Sequence, residues 1–225
     1  MRANLITLAG AAALCVATVA AADPCPSNLI CVGANGLPCD SMTTVTAARE
    51  VIFNGGIWAY ADYDWTAGTC LAAAQLPAIT TPVLEAKVTA NEDFVVTGIA
   101  PGTPLTIHAR IRVVANANSS GSLNQASGWL EKAGAGRVEA TAAVVNGPNV
   151  AVDRVLALDF AAFAGESFRL TMGAISDARG GTSSAVVTLN FVDLPAGAAL
   201  SSCHSGSLPV PATPVTWGSL KSRYR

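Results

Sequence analysis

The sequence predicts an all-β protein: a two-sheet antiparallel β-sandwich, jelly-roll or immunoglobulin-like, with an irregular N-terminal cap and an extended C-terminal tail. Apolar and polar residues alternate with a period of two in several segments between residues 84 and 191. That spacing is typical of strands with one buried face. Glycine, proline and asparagine pairs separate these segments, and no long helical pattern lies between them. Several short strands at this rhythm indicate a sandwich.

The strands follow in order from residue 84, where the alternation begins. Positions 105, 107, 109, 111 and 113 are apolar, whereas the positions between them are Thr106, His108, Arg110 and Arg112. The segments 138–142, 168–172 and 185–191 repeat this alternation. Turn signals separate them, namely Pro101-Gly102, Ser119-Ser120-Gly121, Gly134-Ala135-Gly136, Asn146-Gly147-Pro148 and Gly180-Gly181. Upstream, residues 67–82 suggest an alanine- and proline-containing loop, with one helical turn at 71–75 as an option.

Residues 1–22 have the pattern of a secretory signal peptide. Arg2 precedes an apolar run at 5–19, which ends in Ala20-Ala21-Ala22, a small-residue cleavage site. The alternative is an uncleaved anchor, but the run is short for crossing roughly 30 Å of hydrocarbon. We therefore expect a secreted protein, extracellular or at the cell surface, with no membrane span after cleavage. The remaining chain divides into a Cys-rich cap at 23–45, a β-sandwich at 46–204, and a Pro-containing linker with a basic-aromatic tail at 205–225.

The charge of the chain argues against nucleic-acid binding. Removing residues 1–22 leaves 12 Lys and Arg against 15 Asp and Glu, and three of those basic residues lie in the last five positions. No basic stripe interleaved with aromatics is present. A mildly acidic body is ordinary for a solvated secreted domain.

The five cysteines that follow the leader are candidates for disulfides, because an exported protein meets an oxidising environment. They are Cys25, Cys31, Cys39, Cys70 and Cys203. An odd number allows at most two bridges and leaves one thiol. We expect one bridge within the N-terminal segment, and a second from Cys70 either to that segment or to Cys203. The spacings do not fit the short Cys hooks of zinc sites.

Four aromatic residues between positions 58 and 65 are the leading candidates for ligand binding. Trp58, Tyr60, Tyr63 and Trp65 could form a flat platform on which sugars stack, and Trp58 and Tyr60 share a face at strand spacing. The alternative is that these large rings fill a core otherwise built from alanine and valine, which we favour on general grounds.

Two acidic residues within the aromatic stretch could bind calcium. Asp62 and Asp64 would point the same way on a strand, and calcium takes six to eight oxygen ligands. No glycine-containing ligand loop with a closing glutamate follows them. The more ordinary interpretation is that these acidic residues lie in a turn and face solvent. We therefore expect no cofactor, and bound calcium is the alternative.

Support for catalysis is thin. The chain has no G-x-S-x-G motif, His108 lies on the outward face of a strand, and His204 is expected at the surface after Cys203. His108, Arg110 and Arg112 share one strand face, where they could receive an anionic group. They are equally well explained as charges that prevent edge pairing.

The strand block resembles the β-sandwich domains of secreted bacterial proteins of unassigned activity. Three segments carry the resemblance: 165–170 (GESFRL), 184–189 (SAVVTL) and 194–203, which runs from Leu-Pro-Ala-Gly to Ser-Cys. The resemblance covers about half of the chain, and it implies an extracellular sandwich and no chemistry. Similar domains often precede a short sorting tail, and the residues that resemble such tails are Trp217, Gly218, Lys221, Tyr224 and Arg225. A frayed basic terminus is the alternative.

Together these features predict a secreted, non-catalytic protein of the cell envelope or exterior with a structural or adhesion role. The first alternative is a carbohydrate-binding module that uses the aromatics at 58–65, with cell-surface glycans or envelope components as partners. The second alternative is an exported hydrolase.

Overall fold

The computed structural model describes residues 25–35, 37–53, 55–77, 83–204 and 206–207. The predicted signal peptide and the predicted sorting residues lie outside these ranges. The described residues form twelve strands and contain no helix, hence none that could span a membrane. The strands are β1 (Asn28–Ala34), β2 (Cys39–Met42), β3 (Thr46–Phe53), β4 (Ile57–Asp64), β5 (Thr69–Leu76), β6 (Leu84–Thr97), β7 (Pro104–Lys132), β8 (Gly136–Phe163), β9 (Ser167–Ala178), β10 (Gly181–Val192), β11 (Ala199–Ser202) and β12 (Gly206–Ser207).

The strands form one continuous antiparallel sheet with the order β12-β11-β6-β9-β7-β10-β5-β4-β3. In addition, β1 pairs with β2 and β6, and β8 pairs with β7. The segments with period-two alternation all lie in strands, within β7, β8, β9 and β10. The prediction of an all-β antiparallel fold is therefore confirmed.

The sheet folds into two facing layers because the long hairpin of β7 and β8 belongs to both. The first part of β7 pairs with β10, whereas residues 125–131 pair with β9. One layer thus contains β3, β4, β5 and β10, and the other contains β9, β6 and β1. Their inner faces meet: the ring centroids of Phe94 (β6) and Phe191 (β10) are 5.3 Å apart. Cys70 Sγ on β5 lies 4.0 Å from the carbonyl oxygen of Met172 on β9.

The fold line between the layers lies at residues 117–123 of β7, where the register with β8 shifts. Here Ser119 Oγ accepts hydrogen bonds from the amides of Gly121 and Ser122, at 3.2 and 3.0 Å. The fully buried Asn124 links the bend to the β9–β10 turn, since its Nδ2 donates to Gly180 O at 3.2 Å and its Oδ1 accepts from Arg179 N at 2.7 Å. The predicted turn at 119–121 is therefore a bend within a continuous strand.

The core between the layers consists mostly of small apolar side chains. Alternate residues of each strand point into it, as the inward positions Ile107, Ala109, Ile111 and Val113 of β7 illustrate, all fully buried. Phe94 lies among the aromatic rings of this core, in contact with the rings of Trp65, Phe168 and Phe191. Burying alternate residues leaves the other half of each strand on an outer face.

Two local predictions need correction. The N-terminal cap is not irregular, because β1 pairs with β6 along Leu29–Ala34 and β2 pairs with β1. Residues 67–82 are not simply a loop, since Thr69–Leu76 is strand β5, hydrogen-bonded to β4 and β10. Both segments are regular because they lie between or beside strands that come from distant parts of the sequence.

The disulfides confirm one predicted pairing and contradict another. Cys31–Cys39 joins β1 to β2 within the N-terminal segment, as expected. The second bridge is Cys25–Cys203, which links the two ends of the described chain with a Cα–Cα distance of 5.5 Å. The prediction that Cys70 is bridged is wrong: it is a free thiol in the inward row of β5. Burial raises the pKa of the Cys70 thiol well above its ordinary value, and the charge of Asp62 adds to the rise.

Candidate functional site

The four candidate aromatics divide between the core and the outer surface. On β4 the residues Ala59, Ala61 and Tyr63 point inward, so Trp58 and Tyr60 point outward. Tyr63 and Trp65 are each only 1% exposed. Tyr63 donates its hydroxyl hydrogen to Thr44 O at 3.0 Å. The predicted platform of four rings is therefore wrong: only Trp58 and Tyr60 lie on the outside of the sheet. Tyr63 and Trp65 are core residues, as the alternative interpretation expected.

Trp58 and Tyr60 lie on a small apolar patch on the outside of the sheet. Both side chains are partly buried and pack against Leu71, Ala73 and Val186, which are 8%, 9% and 6% exposed. These three residues come from the neighbouring strands β5 and β10, where Leu71 is paired with Val186. We call these five outward side chains the aromatic face. These side chains differ from those of the core because they lie on the outer side of one layer and are not enclosed between the two layers.

Polar side chains border the aromatic face on β4 and β5. Gln75 is directly opposite Trp58 in the sheet, and its Nε2 donates to Gly56 O at 3.0 Å. Asp62 follows Tyr60 on the same side of β4 and accepts a hydrogen bond from the Tyr60 hydroxyl at 2.8 Å. The face therefore combines ring surfaces with an amide and a carboxylate at its border.

The edge strand β3 extends the aromatic face on its other side. Ile52 is opposite Trp58 and is 71% exposed, and Glu50 is opposite Tyr60 and also exposed. Ile52 thus extends the apolar surface beside the partly exposed rings. Contiguous exposed apolar surface is typical of binding sites, whereas single exposed apolar side chains are ordinary.

The contribution of β5 is the part of this face that the sequence does not reveal. The run Leu71–Gln75 shows no alternation of apolar and polar residues. The reason is that both sides of β5 are covered: Cys70, Ala72 and Ala74 by the opposite layer, and Leu71 and Ala73 by Trp58 and Tyr60. A short continuous apolar run is the pattern of a strand buried on both faces, and it could have been interpreted so.

The two candidate calcium ligands have structural roles. Asp64 Oδ1 accepts a hydrogen bond from Ala67 N at 3.0 Å, within the turn that joins β4 to β5. Asp62 accepts a hydrogen bond from the Tyr60 hydroxyl. Across the residues that the structure covers, no group of three or more His, Cys, Asp or Glu side chains could hold a metal ion.

The basic row on β7 forms ion pairs with β8. Asp159 contacts His108 Nδ1 at 3.0 Å and Arg110 Nη1 at 2.5 Å, while Arg112 pairs with Asp153 through two hydrogen bonds of 2.9 and 2.6 Å. The hydrogen bond from Arg110, followed by that from His108, lowers the pKa of Asp159. The row is thus occupied by carboxylates of the neighbouring strand, and β7 is not an edge.

His204 is buried, contrary to the surface position expected for it. Its side chain is 2% exposed, and its Nδ1 lies 2.7 Å from Oε2 of the fully buried Glu92. The backbone amide of His204 also donates to Glu92 Oε1, at 2.9 Å. This pair attaches the C-terminal end of the described chain to β6, and its burial places it out of reach of a substrate in solution.

Comparisons with known proteins find likeness to solved structures but no match to a family or a curated protein. One similar solved structure is a carbohydrate-binding module in complex with β-1,4-galactotriose. It shares 7% identity at a TM-score of 0.29, over 66% of this chain and 83% of that chain. The function must therefore be inferred from the geometry of the aromatic face.

Proposed function

We propose that this is an exported, non-catalytic β-sandwich protein that binds glycans of the cell surface or envelope through its aromatic face, in an adhesion role. One observation carries the proposal: Trp58 and Tyr60 lie partly exposed on the outside of the sheet, over an apolar floor, while the other two aromatics of the stretch are in the core.

The chemistry of the face suits a sugar ring. A pyranose presents apolar C–H groups on its faces and hydroxyls at its rim, so it can stack on aromatic rings while hydrogen-bonding at the border. Trp58 and Tyr60 offer large apolar surfaces with a polar tip. Gln75 and Asp62 lie beside them and can hydrogen-bond hydroxyls. A few placed polar groups around apolar surface are typical of ligand sites.

Two further observations support the exported part of the proposal. The described chain contains two disulfides, which form and persist in oxidising compartments. The pattern of residues 1–22 is that of a leader for export. Their combination is consistent with a protein that works outside the cytosol, where surface glycans are accessible.

The test is binding to a panel of oligosaccharides, measured for the full chain and for Trp58→Ala. We expect Trp58→Ala to weaken binding at least about tenfold, the effect usual for a central aromatic contact. Phe163→Ala is the matched control, because Phe163 is an exposed aromatic on β8, 46% exposed and outside the aromatic face. Binding of no glycan, or equal binding by the Trp58 variant, would overturn the proposal.

A further inference from the structure

The strands that form the aromatic face carry more acidic than basic side chains on their outer side. Three acidic residues of the same strands, Glu50 on β3 and Asp62 and Asp64 on β4, all occupy outward positions. The strands β3, β4, β5 and β10 contain a single basic residue, Arg49, and its guanidinium is paired with Asp40 of β2. These four strands therefore provide no unpaired cation to offset the carboxylates around the rings.

Two basic residues at outward positions of β7 do not offset this charge either. They are Arg110 and Arg112 of β7, which are already paired with Asp159 and Asp153 of β8. A ligand that stacks on Tyr60 meets the carboxylates of Glu50 and Asp62.

Two of the carboxylates lie close to the Tyr60 ring. Glu50 is its direct partner across β3 and β4, and such cross-strand neighbours have Cβ atoms about 5 Å apart. Asp62 is held beside the ring because the Tyr60 hydroxyl donates to it at 2.8 Å. A group stacked on Tyr60 therefore has one acidic side chain toward β3 and another farther along β4.

We propose that the aromatic face is selective for glycans built from amino sugars with protonated amines, a refinement that rests on the proposed glycan binding. A protonated amine is attracted both to the faces of Trp and Tyr rings and to carboxylates through charge-assisted hydrogen bonds. Uronic-acid or sulfated glycans would instead place like charges next to Glu50 and Asp62, which costs free energy. Neutral glycans would stack on the rings without an electrostatic contribution from the carboxylates.

The size of the preference follows from the positions of the two carboxylates, since Glu50 is exposed and Asp62 is half-buried. Ion pairs near the surface are individually weak, so two of them correspond to about a fivefold preference for the amino-sugar ligand. Because salt screens exposed charges, the preference is expected to decline as ionic strength rises.

The experiment compares three tetrasaccharides of one linkage: a glucosamine oligomer, its fully N-acetylated form and a uronic-acid oligomer. Titration of the full chain is expected to give about fivefold tighter binding of the glucosamine oligomer than of the N-acetylated one, and the weakest binding of the uronic acid. Glu50→Gln and Asp62→Asn together are expected to abolish the difference at low salt. Glu166→Gln is the matched control, since Glu166 is an exposed acid in the turn between β8 and β9.

The outcomes separate the two proposals. If the glucosamine and N-acetylated oligomers bind equally, or if the double variant keeps the preference, the amino-sugar inference is wrong while glycan binding stands. If none of the three binds and Trp58→Ala changes nothing on the wider panel, the proposed function itself fails. Thermal unfolding of each variant checks that the fold is retained.

Discussion

Asp177 on β9 faces another acidic side chain across the sheet. Glu85 of β6 is its direct partner on one side and Gln125 of β7 on the other. Asp177 Oδ1 is buried and has no hydrogen-bond partner. Burial, with the charge of Glu85 as the second cause, raises the pKa of Asp177 from 3.8 to about 6, despite the opposing influence of Arg179, Gln125 and Lys87.

This pKa makes stability depend on pH in a defined direction. Since the folded pKa is above the unfolded one, the contribution of Asp177 to stability is fully present below about pH 4 and is lost as pH rises through about 6. Asp177→Asn should abolish this loss and raise the free energy of unfolding at pH 8 by about 1 kcal/mol, after allowance for solvent screening. At pH 4 it should change little. Urea unfolding at both pH values tests this, with Glu166→Gln as a charge-matched control, and an equal effect at both would contradict it.

Cys70 provides a second prediction at the scale of a single residue. Its thiol is buried and its pKa is raised, so little reactive thiolate forms. We expect the chain without residues 1–22 to show no fast reaction with a thiol reagent at pH 8 in its native state. In denaturant without reductant, one thiol should react. A count other than one reactive thiol in denaturant, or rapid labelling of the native protein, would contradict the assignment.

At the scale of elements, the contact between layers depends on a glycine in β7. Gly128 lies where a Cβ would meet the side chains of Val187 on β10 and Val113 on the other half of β7. The two halves of β7 thus face each other across the core at a point where only a hydrogen fits. Glycine is required here for close approach rather than for a turn.

Gly128→Ala is expected to lower the free energy of unfolding by about 1–3 kcal/mol, since overpacking forces side chains and backbone to move. Adding Val187→Ala to it should restore part of the loss, because the second change clears space for the new methyl group. Gly147→Ala is the control, where the nearest atom to a Cβ is 3.4 Å away. Chemical denaturation measures all three, and a Gly128 variant as stable as the control would refute the packing argument.

At the scale of the whole molecule, the two disulfides differ in the length of chain that they close. Cys25–Cys203 spans 178 residues and Cys31–Cys39 spans 8. In the chain-entropy model the first contributes about 5 kcal/mol and the second about 2.5 kcal/mol. The long bridge closes the ends of the described chain next to the Glu92–His204 pair, which adds a second attachment there.

We therefore expect Cys25→Ala with Cys203→Ala to lower the unfolding free energy about twice as much as Cys31→Ala with Cys39→Ala. Urea midpoints of the two double variants and of the oxidised parent make the comparison. A larger effect from the short bridge would show that native-state contacts, rather than chain entropy, dominate the stabilisation by these bridges.

Much of the fold could be predicted from the sequence where one face of a strand is buried and the other is exposed to solvent, because this produces alternation of apolar and polar residues. In β7, Ile107 to Val113 alternate with Thr106 to Arg112, so the strand and its buried row follow from the sequence. In β5 the same logic fails, because Leu71 and Ala73 are covered by Trp58 and Tyr60 while Ala72 is covered by the core. Likewise, the glycine and asparagine signals at 119–121 and 146–148 predict turns but lie at bends of long strands.

The sequence by itself determined that much of the chain is built from strands with one apolar row, that two disulfides at most can form after the leader, and that Trp58 and Tyr60 share a side of one strand. Only the tertiary structure decided which side that is, which cysteine remains unpaired, and which rings lie in the core. The reason is physical: alternation records which side chains lie together on a strand, whereas burial depends on the second layer, whose residues lie far away in the chain.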